Sequence, residues 1–193
     1  MYSTLGLTVT DKAALRRSLA LDISLVLGGS LVLAGLAQIR IYLPFTPVPV
    51  SAQTLGVLLI AAVLGARRGV AAVLTYIIEG IIGLPFFAGG NAGLGVLTGA
   101  TGGYLIGFIA AAAVVGYMAE RGLDRRWWSA LIAFLTGTVI IYAFGATGLA
   151  AMVGWQNAFT AGVMPFLLGD ALKIALAAAL LPTAWALVRR WER

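Results

Sequence analysis

Asp170 and Lys173 stand three residues apart in an otherwise uncharged stretch, a spacing that puts both on one helix face about one turn from each other. The carboxylate accepts hydrogen bonds and the ammonium donates them. Such a pair either neutralises itself inside the protein or lines a cavity and grips a polar solute, and ionisable groups at membrane depth favour the second use. Counted from Pro165, the two lie about 8 and 12 Å along their helix. The preceding run, Gly162-Val163-Met164-Pro165-Phe166-Leu167-Leu168-Gly169, has the glycines and proline of a loop that leaves the first turns of that helix open to a ligand. Glu79, a third ionisable residue at depth, reads equally as a snorkelling interface carboxylate or as a ligand contact. Asp22 reads as a solvated or locally paired residue beside Arg16 and Arg17.

Reaction chemistry has little to work with. No His and no Cys occur among the 193 residues, which removes imidazole and thiolate metal ligands, Cys nucleophiles and the commonest general base. No Gly-x-x-x-x-Gly-Lys-Ser/Thr string is present, which excludes ATP hydrolysis by the P-loop route. The chain reads as a binding or transport protein rather than an enzyme, with no cofactor and no metal.

The elements that must position these residues are membrane helices. With 61% hydrophobic and 10% charged residues and a mean hydropathy of +1.01, the chain has too few charges to cover a water-soluble globule. Crossing about 30 Å of hydrocarbon takes roughly 20 residues per helix, so residues 1–193 read as one integral, all-α domain. The runs between charges fit six helices. The first occupies the uncharged stretch between Asp22 and Arg40, extended back to Leu19, and is retained rather than cleaved as a signal peptide. Prolines 44, 47 and 49 forbid helix before Ser51, so a short second helix runs from there to Ala66, and a short third from Gly69 to about Leu84. Seven of the fifteen residues from Gly89 to Gly103 are glycine, which makes a loop, since each interior Gly costs about 1 kcal/mol relative to Ala. Helices four, five and six follow at about Tyr104–Ala119, Trp127–Leu149 and Pro165–Val188, with Trp155, Gln156 and Asn157 in the last connection.

Six crossings put Lys12, Arg16, Arg17, Arg67, Arg68, Arg121, Arg125, Arg126, Arg189, Arg190 and Arg193 on one side, eleven of the thirteen cations. Arg40 alone lies on the other. By the positive-inside rule both termini are cytoplasmic, and the net charge of +6 marks topology in a lipid bilayer, with no nucleic-acid partner. The proline-rich first loop, the glycine-rich third and the loop before Pro165 then converge on the outer side. Irregular backbone beside short helices at that depth implies a lidded, outward-facing pocket under loops 1, 3 and 5. Phe45, Phe86, Phe87 and Tyr104 are its candidate walls, or else parts of an interfacial aromatic belt. Gln53 and Asn91 add neutral donors and acceptors.

Four strings in this order, Pro44-Phe45-Thr46-Pro47-Val48-Pro49-Val50-Ser51-Ala52-Gln53-Thr54, Gly83-Leu84-Pro85-Phe86-Phe87-Ala88-Gly89-Gly90, Thr101-Gly102-Gly103-Tyr104-Leu105-Ile106-Gly107-Phe108 and Gly169-Asp170-Ala171-Leu172-Lys173, resemble the signature segments of the BioY family. These are the biotin-binding S-components of energy-coupling factor (ECF) transporters. The resemblance runs from about Ile41 to Ala175 and departs at Ala100, where many members of the family have Pro. It implies six helices, an outward biotin pocket, a cell-membrane location, and as partners a transmembrane T-component and two cytoplasmic ATPase subunits. It places biotin contacts at Asp170, Lys173, Asn91 and Gln53. Asp170 can accept from ureido N–H groups, and Lys173 can donate to a carbonyl or carboxylate oxygen. A solitary biotin transporter or facilitator, working without the ATPase module, is the alternative.

Helix one carries a further signal. Ala20, Ser24 and Gly28 repeat every four residues, as do Ser30 and Ala34. Such small-residue stripes let another helix approach closely, either within this chain or, as the resemblance implies, from the T-component.

Overall fold

A computed structural model of the chain describes residues 4–12 and 19–190. The expected topological cations Arg16, Arg17 and Arg193 lie outside those residues. The elements in order are α1 (Leu5–Lys12), α2 (Leu19–Gln38), the two-residue strands β1 (Arg40–Ile41) and β2 (Val50–Ser51), α3 (Gln53–Ile81), α4 (Gly95–Thr98), α5 (Gly102–Glu120), α6 (Trp127–Val153), α7 (Trp155–Gly162) and α8 (Leu167–Arg190). Five stretches, 19–38, 53–81, 102–120, 127–153 and 155–188, are long and apolar enough to cross a membrane.

Continuous by residue count, α3 is not one rod. Gly65 has φ 82° and ψ 177°, a region that essentially only glycine occupies. Gln53 and Tyr76, 23 residues apart, share a hydrogen bond of 2.6 Å, whereas a straight helix would hold them about 35 Å apart. Gly69 also lies directly against Ala61. Residues 53–64 and 66–81 are therefore two limbs folded back on each other, close to the expected second and third helices. Glu120, at the end of α5, closes the bend by accepting from the Ala66 amide at 2.9 Å, one of the N–H groups that a helix start leaves without a partner.

The limbs of α3 form the centre, flanked by α2 on one side and α5 on another, with α6 against α5 and α8 against α6. α5 and α6 approach closely because glycines face each other: a Cβ on Gly107 would stand 3.1 Å from the Ile141 backbone, and one on Gly148 would stand 2.9 Å from Gly103 Cα. On α2, Leu19, Ile23, Leu27 and Leu31 are exposed while Gly29, Ser30, Leu33, Ala34 and Ala37 are buried, the one-sided stripe of a helix between bundle and lipid. Asp22 pairs with Arg68 of the α3 bend across 2.7 Å.

Two expected boundaries differ. α6 continues past Leu149 to Val153, because nothing in that apolar run breaks a helix until Gly154, which turns at φ 79° and ψ 158°. Trp155, Gln156 and Asn157 then open α7 instead of a loop, since Ala158 and Gly162, four apart, give that segment a buried face. Pro165 lies in a 3₁₀ turn over Met164–Phe166, and α8 starts at Leu167.

Candidate functional site

The site begins where the start of α3 and the strand before it meet α8. Lys173 Nζ reaches Asp170 Oδ1 at 2.7 Å, the Ser51 carbonyl at 2.6 Å and Thr54 Oγ1 at 3.2 Å. All three ammonium protons are thereby committed. Asp170 Oδ1 also accepts from Thr54 Oγ1 at 3.1 Å, and its Oδ2 accepts from the Tyr142 hydroxyl at 2.6 Å. The pair is nearly closed to solvent, with side-chain exposures of 4% for Asp170 and 17% for Lys173. One carboxylate lone pair, on Oδ2, is left over. The two charges thus do bind each other, and they also line a cavity.

That cavity has a volume of about 210 Å³. Its polar wall includes Ser51, Gln53, Thr54, Asn91, Tyr142, Asp170 and Lys173, and its apolar wall includes Val48, Phe87, Leu105, Phe108 and Phe166. Gln53 is held by Ser51 Oγ at 2.9 Å and by Tyr76. Asn91 Nδ2 donates to the Ala88 carbonyl at 2.8 Å, leaving its carbonyl oxygen and a second N–H for another partner. A two-stranded ribbon ends the first loop, pairing Arg40 with Ser51 and Ile41 with Val50. The chain between its strands is tied to α7 by Thr46 Oγ1, which donates to the Ala161 carbonyl at 2.6 Å. Tyr104 donates to the next carbonyl, Gly162, and its ring lies against Gly145, where no side chain would fit. These two donors satisfy carbonyls that the end of α7 leaves open.

Of the residues expected at the site, Asp170, Lys173, Asn91, Gln53, Phe87 and Tyr104 all line this cavity. Phe45 and Phe86 do not. Phe45 is 65% exposed on the first loop, and Phe86 packs against the core from outside the cavity. Only Phe87 of the adjacent pair turns inward, where it meets Tyr76 edge-on at 5.6 Å. Glu79 is also absent from the wall, and its Oε2 is buried with no hydrogen-bond partner. Sequence reasoning missed Tyr142, Thr54 and Tyr42. Tyr142 carried a signal, a phenol in the middle of a helix too deep for an interfacial belt.

The small-residue stripes separate. Ala20, Ser24 and Gly28 are exposed, a Cβ on Gly28 would meet nothing within 4 Å, and Ser24 and Gly28 line an apolar groove with Leu59 and Val63. Ser30 and Ala34 are buried, which removes them from any exposed surface. On the opposite end of the bundle from the cavity, Asp124 in the turn before α6 is buried and accepts from Trp185 Nε1 at 2.6 Å. Burial pushes its carboxyl above the usual range, against the opposing pull of Trp185 and Arg125.

The fold matches that of a solved S-component for biotin from an ECF-type ABC transporter, with a TM-score of 0.77 over 87% of this chain and 94% of that one, at 22% identity. The biotin transporter BioY of Rhizobium etli is 44% identical over 72% of this chain and 79% of its own length. The BioY of Thermotoga maritima is 42% identical over 72% and 81%. Together with the five apolar stretches, relatives that are transporters make this a multi-pass membrane protein. With the BioY family profile matching residues 9–190 on top of that, the chain belongs to the BioY family.

Proposed function

We propose that the chain is the high-affinity biotin-binding membrane subunit, the S-component, of an ECF-type uptake transporter, and that biotin occupies the cavity beside Asp170 and Lys173. The observation that carries this reading is the cavity itself, of the size of a small vitamin, with one buried ion pair, two amide side chains and an apolar remainder. Biotin offers ureido N–H donors, an apolar sulfur ring and a carboxylate on an aliphatic arm. The uncommitted lone pair of Asp170 and the carbonyl of Asn91 suit the ureido donors, and Phe87, Phe108 and Phe166 suit the ring system. Leaving these buried polar groups unmatched would cost about 1–3 kcal/mol each, a basis for rejecting ligands without a ureido group.

Counting the two limbs of α3 separately supports six crossings within one domain, with both chain ends on the side of Arg67, Arg68, Arg121, Arg125 and Arg126. The positive-inside rule makes that side cytoplasmic and the cavity outward-facing, in the plasma membrane. Without a P-loop of its own, the chain would draw energy from two ATPase subunits through a T-component, which docks on the exposed stripe Ala20, Ser24 and Gly28. Labelled-biotin uptake into vesicles tests this. Tight binding by the purified chain, with flux only when the T-component and ATPases are present, is the expected result. Flux with the chain alone would establish a solitary transporter instead, and no binding at all would overturn the assignment.

A further inference from the structure

Biotin is an anion, and the cavity wall offers its carboxylate no obvious receptor. All three protons of Lys173 are committed to Ser51, Thr54 and Asp170. The charge of Lys173 is cancelled by Asp170, whose own carboxylate repels a second one. The remaining polar groups of the wall are neutral. Arg67, Arg68, Arg121, Arg125 and Arg126 cluster at the opposite end of the bundle, around the Gly65 bend and the turn after Glu120.

Arg40 is the exception. It lies in β1 directly across from Ser51, and opposed residues of an antiparallel pair project to the same face. Ser51 lines the cavity and Arg40 itself does not; the arginine leaves the ribbon on that side and stands behind the rim residue Tyr42. Its guanidinium carbon sits 5.1 Å from the ring centre of Tyr42, a residue of the cavity rim. It also lies over the Gly89 backbone, where a Cβ would stand 3.2 Å from Arg40 Nε, one residue from Ala88 in the wall. Nε is buried without a hydrogen-bond partner, and Nη1 makes only a long contact of 3.4 Å to the Gln38 carbonyl. An arginine with donors to spare, stacked at the mouth of a cavity whose inner cation is fully engaged, matches a carboxylate entering last.

Resting on the reading of the cavity as a biotin site, we propose that Arg40 is a specificity-determining residue, and that its guanidinium receives the ligand's carboxylate at the rim while the ureido end lies toward Asp170. The Gly89 contact confines the receptor position to a residue without a side chain, which lets the fork sit flat against the third loop.

The test compares biotin with biotinamide, its uncharged carboxamide, by calorimetric titration of the purified full chain in detergent. Arg40→Gln is expected to weaken biotin at least tenfold and biotinamide less than twofold. Equal weakening of both ligands would make Arg40 a clamp on the third loop only, and no weakening of either would remove it from binding; each result overturns the proposal. If Arg40→Gln does not fold, Arg40→Lys, which keeps the charge but loses the planar fork, is read in the same way: biotin weakened several-fold with biotinamide unchanged supports the proposal, and equal change overturns it. Failure of the unaltered chain to bind either ligand would instead refute the assignment of the cavity to biotin.

Discussion

The hydroxyl of Tyr142 on α6 donates to Asp170 Oδ2 on α8 at 2.6 Å. It is the one donor on that oxygen, while Oδ1 holds both Thr54 and Lys173. Tyr142 therefore fixes the plane of the carboxylate and the direction of its remaining lone pair. Hydrogen bonds to charged groups are worth about 1.5–3 kcal/mol, and each 1.4 kcal/mol is tenfold in affinity. Tyr142→Phe is expected to weaken biotin binding about tenfold by calorimetry; an unchanged affinity would mean the carboxylate is oriented without it.

The reversal at Gly65 depends on a backbone conformation closed to other residues. A Cβ there would also stand 2.6 Å from Glu120 Oε1, disturbing the carboxylate that caps Ala66. Gly65→Ala should destabilise the protein by about 1–3 kcal/mol, read as a lower unfolding temperature in detergent. A temperature equal to that of the parent chain would contradict the strained turn.

Asp124 gives a pH prediction at the other end of the bundle. Burial raises its carboxyl pKa, so the folded protein holds this proton to a higher pH than the unfolded chain does. Its contribution to stability is fully present below the ordinary carboxylate value and is lost as pH rises through the raised one. Asp124→Asn stays neutral and still accepts from Trp185. It is expected to raise the unfolding temperature at neutral pH, with the gap to the parent closing below about pH 4. A gap that does not vary with pH would contradict this.

Gly28 and its neighbour Gly29 face different surroundings. Nothing lies within 4 Å of a Cβ on Gly28, whereas one on Gly29 would stand 2.9 Å from the Ala72 Cβ. Gly28→Trp should leave folding and biotin binding intact and abolish uptake by the assembled transporter, while Gly29→Trp should fail to fold. Full uptake with Gly28→Trp would place the docking surface elsewhere.

Much of this arrangement was legible in the sequence because membranes simplify the rules. A charge in an apolar run must face protein or water, so Asp170 and Lys173 were candidates to line a cavity, as they do. Prolines 44, 47 and 49 and the glycines after Gly89 marked the loops around it for similarly local reasons. What the chain could not reveal was relation across the bundle. Spacing cannot tell that Lys173 would be fully engaged by Ser51 and Thr54, or that Tyr142 would meet Asp170. Nor does it decide which of Phe86 and Phe87 turns inward, which follows from the space that Gly80 leaves for the Phe87 ring. Ser30 and Ala34 shared the spacing of the exposed stripe but lie on the other face of α2, a difference of helical angle that only packing resolves.

Biotin affinity of Asp170→Asn, measured by calorimetry on protein shown to be folded, tests the central claim most directly. The substitution keeps the shape but removes the charge that Lys173 is paired with and that, under the proposed function, the ureido donors would meet. The account predicts at least a tenfold weakening; binding as tight as that of the parent chain would contradict it.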